Sequence, residues 1–273
     1  MVSQEHSVDI GSFILHHVSN SEVLVPLHLF GLDISITKHV IMLWVAGALV
    51  IIAFLLGARR YRREEMPVPS GFSNFLELVV DYVHNQIVVP NVGRQYARTW
   101  SPLLLAFFTL ILTANFLGLI PFFDLIDIFT DKPGSGTATG NVIVTASLAA
   151  ITFLAIIAAG SLAHGFIGYW RNLAPPGVPW PVLFILIPIE ILGMFVRPFA
   201  LTMRLAANMT AGHIAMLAIL APIFIMVNAW IGIGSVALNV GITFLEMIIA
   251  LVQAYVFTLL SAVFIGAAIN PEH

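Results

Sequence analysis

Residues 180–228 read WPVLFILIPIEILGMFVRPFALTMRLAANMTAGHIAMLAILAPIFIMVN, an apolar stretch that nevertheless contains charged and amide side chains. An arginine at mid-bilayer costs at least ~2.5 kcal/mol on insertion-based scales, and its guanidinium stays protonated. Glu190, Arg197 and Arg204 recur every seven residues and Asn208 follows one turn later, so a helix would place all four in a narrow stripe. Such arginines are functional, or they snorkel or pair internally, and snorkelling fits Arg197 better than Arg204. Small residues beside the stripe would let another helix approach the guanidinium; they are Gly193, Ala200, Ala207 and Ala211.

Composition defines the broad class of protein. Of 273 residues, 59% are hydrophobic and only 9% are charged, whereas soluble domains average about 25% charged residues. The chain is therefore an integral membrane protein. Its net charge of −3 is small and its arginines flank apolar segments, which argues against nucleic-acid binding.

Metal and cofactor chemistry is not expected. The absence of cysteine excludes disulfides, thiol chemistry and Cys-ligated metal centres. His16 and His17 are adjacent, so on either regular element they would point away from each other, and we predict no metal site. No cofactor is predicted either.

Hydropathy and breaker residues predict an all-α polytopic membrane protein with five transmembrane helices and one amphipathic helix on the membrane surface. Ser101 and Pro102 are typical of a helix start, and Asn141 can cap the third span. The predicted parts of this single membrane domain are an external segment (1–37), spans at 39–58, 101–121 and 141–168, the surface helix (71–90), an external loop (122–140), an inner linker (169–180) and two long helices (181–227 and 234–269).

The last two helices are too long to stand upright. At 1.5 Å per residue they would measure roughly 70 and 50 Å, whereas the hydrocarbon core is only ~30 Å thick. We expect both to be steeply tilted, with bends at Pro188, Pro198 and Pro222, and to form a hairpin through the NAWIGIG turn at 228–234.

Basic residues predict the orientation. Of the eleven lysines and arginines, seven arginines would lie on the inner side, Lys38 and Lys132 outside, and Arg197 and Arg204 within the membrane. The N-terminus is then outside, and the C-terminus lies on the cytoplasmic or matrix side.

Polar residues also recur on the second long helix, where Asn239, Glu246 and Gln253 are spaced by seven. A hairpin turn near residue 230 would place Gln253 opposite Asn208 and Glu246 within one turn of the position opposite His213. A buried acid beside an imidazole forms either a proton relay or a structural ion pair, and both interpretations stay open. Asn115, in the second span, likewise makes an interhelical hydrogen bond or has a functional role.

The motif RLAANMTAGH at 204–213, followed by the acid and amide at 246 and 253, resembles subunit a of F-type ATP synthases, and the resemblance covers nearly the whole chain. It implies a non-catalytic stator subunit with two offset half-channels for protons. Arg204 would face the carboxylates of the rotor c-ring, with Asn208 and Gln253 as polar neighbours. His213 and Glu246 would line the outer half-channel, and Glu190 would form the inner mouth.

The resemblance also implies partners and a location. These are the c-ring, subunit b of the peripheral stalk, the F1 sector through that stalk, the lipid bilayer, and protons as the transported ion, in a bacterial inner (plasma) or mitochondrial inner membrane. Compared with the best-known bacterial pattern, the acid and the histidine are exchanged between positions 213 and 246. The exchange leaves the direction of proton hand-off open.

Three other classes of function would require different residues or properties of this chain. An ion channel or secondary transporter acting alone would use the same buried charges, although no convincing internal repeat is present. An intramembrane hydrolase would need a nucleophile or metal site, and the sequence contains no Cys, HExxH or G-x-S-x-G. A structural scaffold would tolerate loss of the Arg204 charge.

Overall fold

The computed structural model describes residues 23–25, 28–29, 32–33, 36–59, 61, 70–119, 138–171, 179–226 and 229–270. Five helices in these ranges are long and apolar enough to cross a membrane, which confirms the predicted polytopic all-α membrane fold. In chain order the helices are α1 (Lys38–Ala58), α2 (Phe72–Tyr82), α3 (Val89–Val92), α4 (Arg94–Leu119), α5 (Val142–His164), α6 (Phe166–Arg171), α7 (Trp180–Met226) and α8 (Ala229–Ile269).

Two short pairs of strands precede α1, and these were not predicted. β1 (Val23–Val25) pairs antiparallel with β4 (Ile36–Thr37), and β2 (His28–Leu29) pairs with β3 (Leu32–Asp33). Strands of two or three residues are too short to show the alternation by which a strand is recognised. The first 22 residues, with His16 and His17, lie outside the described residues.

The predicted surface helix (71–90) consists of three consecutive pieces. α2 continues through a six-residue π-helical turn, Val83–Val88, into α3, which ends at Val92, just before Gly93. The carbonyl oxygen of Asn91 lies against Gly266 of α8. A side chain at position 266 would overlap this oxygen. This segment is therefore anchored to α8, while the membrane-surface position of α2 stays a prediction.

The start of the second span was predicted wrongly. α4 begins at Arg94, directly after Gly93, whose φ of 87° breaks the preceding helix. Pro102 lies inside α4, and Ser101 is not a cap: its hydroxyl donates to the carbonyl of Ala97 at 2.7 Å. A proline here removes one backbone hydrogen bond, which the long flanking helix tolerates.

The third span is shorter than its predicted range of 141–168. Asn141 caps α5 as predicted, since its side-chain oxygen accepts from the backbone N–H of Ile143 at 2.8 Å. Gly165, with φ of 75°, separates α5 from α6. The ring of Tyr169 in α6 then packs directly on Gly160 of α5.

α7 and α8 form the predicted hairpin of two unbroken helices, 47 and 41 residues long. α8 begins at Ala229 rather than at the predicted residue 234, so Gly232 and Gly234 are helical; a helical glycine costs only about 1 kcal/mol relative to alanine. Among the described side chains, α7 has six buried residues, all between Met194 and Met209, and α8 has twelve, between Ser235 and Ile269. α8 thus belongs to the core with α4 and α5, and α7 is an outer helix whose tilt stays a prediction.

Candidate functional site

Arg204 lies on the outward face of α7. Leu201, Leu205 and Met209 are buried on the opposite face, which attaches α7 to the rest of the bundle. Arg204 makes no hydrogen bond or ion pair with another described residue. The guanidinium is therefore presented outwards among small side chains; the exposed residues around it are Ala200, Ala207, Asn208 and Ala211.

Arg197 is paired within its own chain. Its Nη2 lies 3.4 Å from Glu190 Oε1, and its Cζ lies 5.5 Å from the ring centroid of Phe264 on α8. The predicted stripe is thus divided between a paired inner part, Glu190 and Arg197, and an outward part, Arg204 and Asn208. Internal pairing, rather than snorkelling alone, accounts for Arg197.

Tyr169, which was not among the predicted site residues, lies close enough to this ion pair for the charges to affect its pKa. Burial raises the pKa of the Tyr169 phenol, the positive charge of Arg197 opposes this effect, and the negative charge of Glu190 adds to it. Tyr169 is therefore neutral at physiological pH and adds no charge beside Glu190 and Arg197.

An amide pair joins the Arg204 face to the interior. Asn208, one turn beyond Arg204, donates its Nδ2 to Gln253 Oε1 of α8 at 3.3 Å. Gln253 is only 4% exposed, whereas Asn208 is exposed. This pair was predicted by counting the same number of residues back and forward from a hairpin turn near residue 230.

Glu246 lies further along the same interface, towards the hairpin turn, and is only 7% exposed. Its carboxylate rests against Gly212 of α7, where a Cβ would overlap Oε1. Among the described residues, neither carboxylate oxygen has a hydrogen-bond partner. Gly212 directly precedes His213, so the acid and the imidazole lie on facing helices within one turn of each other, as the register predicted. Gly212 itself was missed, although a helical glycine beside the histidine was a usable signal.

Asn239 and Ser235 extend the polar side of α8 towards the turn. Ser235 is 8% exposed, and Asn239 Oδ1 is buried without a hydrogen-bond partner in the described part of the chain. Thr243 donates to the carbonyl of Asn239 at 2.9 Å and lies 3.7 Å from Met216 Sδ on α7. Buried polar groups with unused hydrogen-bonding capacity are typical of a path for water or protons.

Asn115 makes the interhelical hydrogen bond that was one of its two interpretations. It is fully buried on α4 and donates its Nδ2 to the carbonyl of Ala250 on α8 at 3.3 Å. Its Oδ1 accepts from the hydroxyl of Thr139 at 2.7 Å. Thr139 was not predicted, because the segment 122–140 reads as an external loop; residues 122–137 lie outside the described ranges.

The fold and these contacts define a multi-pass membrane protein whose two longest helices enclose ionisable and amide side chains beside an outward arginine. The sequence model of the family described as ATP synthase A chain matches residues 40–266. The chain belongs to this family, which confirms the resemblance found in its sequence.

Individual relatives agree with this assignment. An ATP synthase subunit a 2 of Chlorobium luteolum is 41% identical over 275 residues, which cover 96% of this chain and 76% of the relative. An ATP synthase subunit a of Chloroherpeton thalassium is 40% identical over 269 residues, which cover 98% of this chain and 74% of the relative. An ATP synthase subunit a of an Anaeromyxobacter species is 41% identical over 256 residues and is longer: the match covers 93% of this chain but 59% of that relative.

Proposed function

We propose that this chain is the stator subunit that carries protons to and from the rotor ring of an F-type ATP synthase. One observation carries the proposal: Arg204 lies on the outward face of a membrane-spanning helix, without an ionic partner among the described residues. An uncompensated guanidinium in a bilayer is costly. An anion on a neighbouring subunit would remove that cost, and the small residues around Arg204 leave room for a helix carrying one.

The proposed partner is a carboxylate of the c-ring. A fixed positive charge within ~4 to 6 Å favours the ionised form of a carboxyl group, so a ring carboxyl that reaches Arg204 releases its proton. The same charge repels protons and prevents their direct passage between the two half-channels. Protons therefore cross only on the moving ring, and the transmembrane potential supplies ~2.3 kcal/mol per charge per 100 mV.

We assign the outer half-channel to Glu246 and His213, with Asn239 leading towards them. Support comes from the buried carboxylate against Gly212, whose oxygens have no hydrogen-bond partner among the described residues and can exchange a proton with water or imidazole. Asn208 and Gln253 then stand between this acid and Arg204. The order of hand-off between Glu246 and His213 stays open.

We assign the inner mouth to Glu190. Its side chain is 44% exposed and that of its partner Arg197 is 33% exposed, so both lie partly at the surface of this chain. A partly exposed ion pair holds its members in place only weakly, typically by 1 kcal/mol or less. Arg197 can therefore orient Glu190 without preventing it from accepting a proton.

The proposal includes the orientation and the partners. The N-terminus lies outside, because the basic residues between the spans favour the inner side by seven to two. The membrane is a bacterial inner or a mitochondrial inner membrane. Subunit b connects the chain to the F1 sector, which performs the ATP chemistry, while this subunit performs no catalysis of its own.

Purification of the chain from its native membrane tests the proposal directly. We expect it to co-purify with an oligomeric ring of small helical-hairpin subunits. The isolated chain in proteoliposomes should show no proton flux above that of empty vesicles, because the path is incomplete without the ring. Proton flux through the isolated chain, or its purification without any ring, would instead favour a channel or transporter acting alone.

Gly212→Ala should reduce proton-driven ATP synthesis by roughly fivefold, because the new Cβ would displace the carboxylate of Glu246. Gly241→Ala in α8 is the matched control: it has open space around its Cβ position and should leave the rate unchanged. Synthesis is measured in membrane vesicles with an imposed proton gradient and is normalised to assembled complex. Equal rates for the two variants would show that the Glu246 position is not critical.

A further inference from the structure

A short 3₁₀ turn, Ala138–Gly140, has two buried residues; it bonds α7 directly and reaches α8 through Asn115 of α4. We propose that this turn and Asn115 form a bracket that fixes the register of α7 against α8, with Thr139 and Asn115 as positioning residues for the proton path. The effect on proton transfer rests on the proposed function. The effect on helix register does not.

The first arm of the bracket reaches α8. The hydroxyl of Thr139 donates to Asn115 Oδ1 at 2.7 Å, and Asn115 Nδ2 donates to the carbonyl of Ala250 at 3.3 Å. Ala250 lies one turn from Glu246 and just under one turn from Gln253. The bracket is therefore bonded to α8 between the two polar side chains that meet α7.

The second arm reaches α7. The hydroxyl of Thr210 donates to the carbonyl of Gly140 at 3.3 Å. Thr210 lies midway along α7 between Asn208 and Gly212. Asn208 bonds Gln253, and the carboxylate of Glu246 lies against Gly212. Both arms thus bind the hairpin at one level, between its two polar contacts.

Burial makes the two hydrogen bonds of the first arm difficult to replace. Ala138, Thr139, Asn115 and Ala250 are each fully buried, so water cannot substitute for a missing partner. Loss of the Thr139 hydroxyl would leave Asn115 Oδ1 unsatisfied, which costs more than the bond itself contributes. We expect the Asn115 side chain to move in response, which would weaken its hydrogen bond to Ala250 of α8.

Two polar contacts of α7 involve partly exposed groups, the Asn208 amide and the Thr210 hydroxyl. Fewer of the described side chains are buried in α7 than in α8, so less core packing fixes the position of this outer helix. The hydrogen bond from Thr210 to Gly140 adds to this packing, since interhelical hydrogen bonds in membranes contribute to fixed helix contacts. This explains why polar groups lie at this otherwise apolar level.

Thr139→Val tests the bracket, because valine has nearly the same shape but cannot donate. We expect roughly a threefold to tenfold lower rate of proton-driven ATP synthesis per assembled complex. Thr139→Ser restores the hydroxyl and should recover most of the rate. Thr258→Val is the matched control: Thr258 is also fully buried, but its hydroxyl donates to the carbonyl of Ala254 within its own helix, and the rate should change by less than about twofold.

Register is measured separately with an introduced cysteine pair, Met216→Cys with Thr243→Cys, in a chain that has no cysteine of its own. Thr139→Val should lower cross-linking of this pair at least about threefold, whereas Thr139→Ser and Thr258→Val should not. If Thr139→Val fails to assemble, Thr210→Val, which removes the other arm alone, provides the same comparison.

The outcomes distinguish the two proposals. Unchanged cross-linking and synthesis in Thr139→Val, or in Thr210→Val where that variant replaces it, would overturn the bracket, even where loss of the Arg204 charge still abolishes synthesis. Changed cross-linking together with normal synthesis would show that register is set by the bracket but does not limit proton transfer, and the positioning role would then be wrong.

Discussion

Replacement of Arg204 by alanine is expected to abolish proton-driven ATP synthesis, lowering the rate at least about 100-fold in fully assembled complexes, as loss of a preorganised charge does elsewhere. Arg204 lies outward on α7 and has no ionic partner among the described residues, so its removal leaves none of their polar groups unsatisfied. Folding and assembly should therefore survive. What is lost is the charge that would make a ring carboxyl release its proton.

The measurement uses membrane vesicles energised by an imposed proton gradient, with the amount of co-purified ring as the index of assembly. Arg204→Lys should also fail, because a compact ammonium lacks the planar, delocalised fork of arginine. Arg197→Gln is the control for removing an arginine from the same helix: Arg197 forms a partly exposed ion pair with Glu190, and its loss should reduce the rate by no more than about threefold. Normal synthesis by assembled Arg204→Ala complexes would refute the role of Arg204.

Features that depend on local patterns could be predicted from the sequence. The lengths of the apolar segments predicted the five spans, and Asn141 predicted the start of α5. Equal counting around one turn placed Gln253 opposite Asn208 because both helices are unbroken and each residue advances along them by the same rise.

Features that depend on distant contacts could not be predicted in this way. Thr139 meets Asn115 across 24 residues, and Asn115 meets Ala250 across 135, so no window of sequence contains either pair. The early start of α4 depends on the backbone conformation of Gly93, and Pro102 suggested a start that the surrounding helix overrides. The pairing of Arg197 with Glu190 was compatible with the spacing, but its contact with Phe264 requires α8 to lie alongside.

The second large effect is expected for Glu246→Gln, which should slow proton conduction and ATP synthesis roughly 10- to 100-fold without preventing assembly. Glutamine has nearly the shape of glutamate and would fit against Gly212. Because neither Glu246 oxygen bonds another described residue, the substitution removes no such hydrogen bond. The amide can neither bind nor release a proton, so the loss of rate would report proton transfer rather than structure.

The exchange of His213 and Glu246 separates a joint relay from two independent roles. If the acid and the imidazole work as a pair, the double variant His213→Glu with Glu246→His should retain more activity than either single replacement, since the pair is kept and only its order is reversed. Rates are compared over a range of outer pH, because a relay that limits conduction makes the rate depend on the protonation of its members. If Glu246→Gln leaves both the rate and its pH dependence unchanged, protons do not pass by Glu246, and the outer half-channel must be sought elsewhere along α7 and α8.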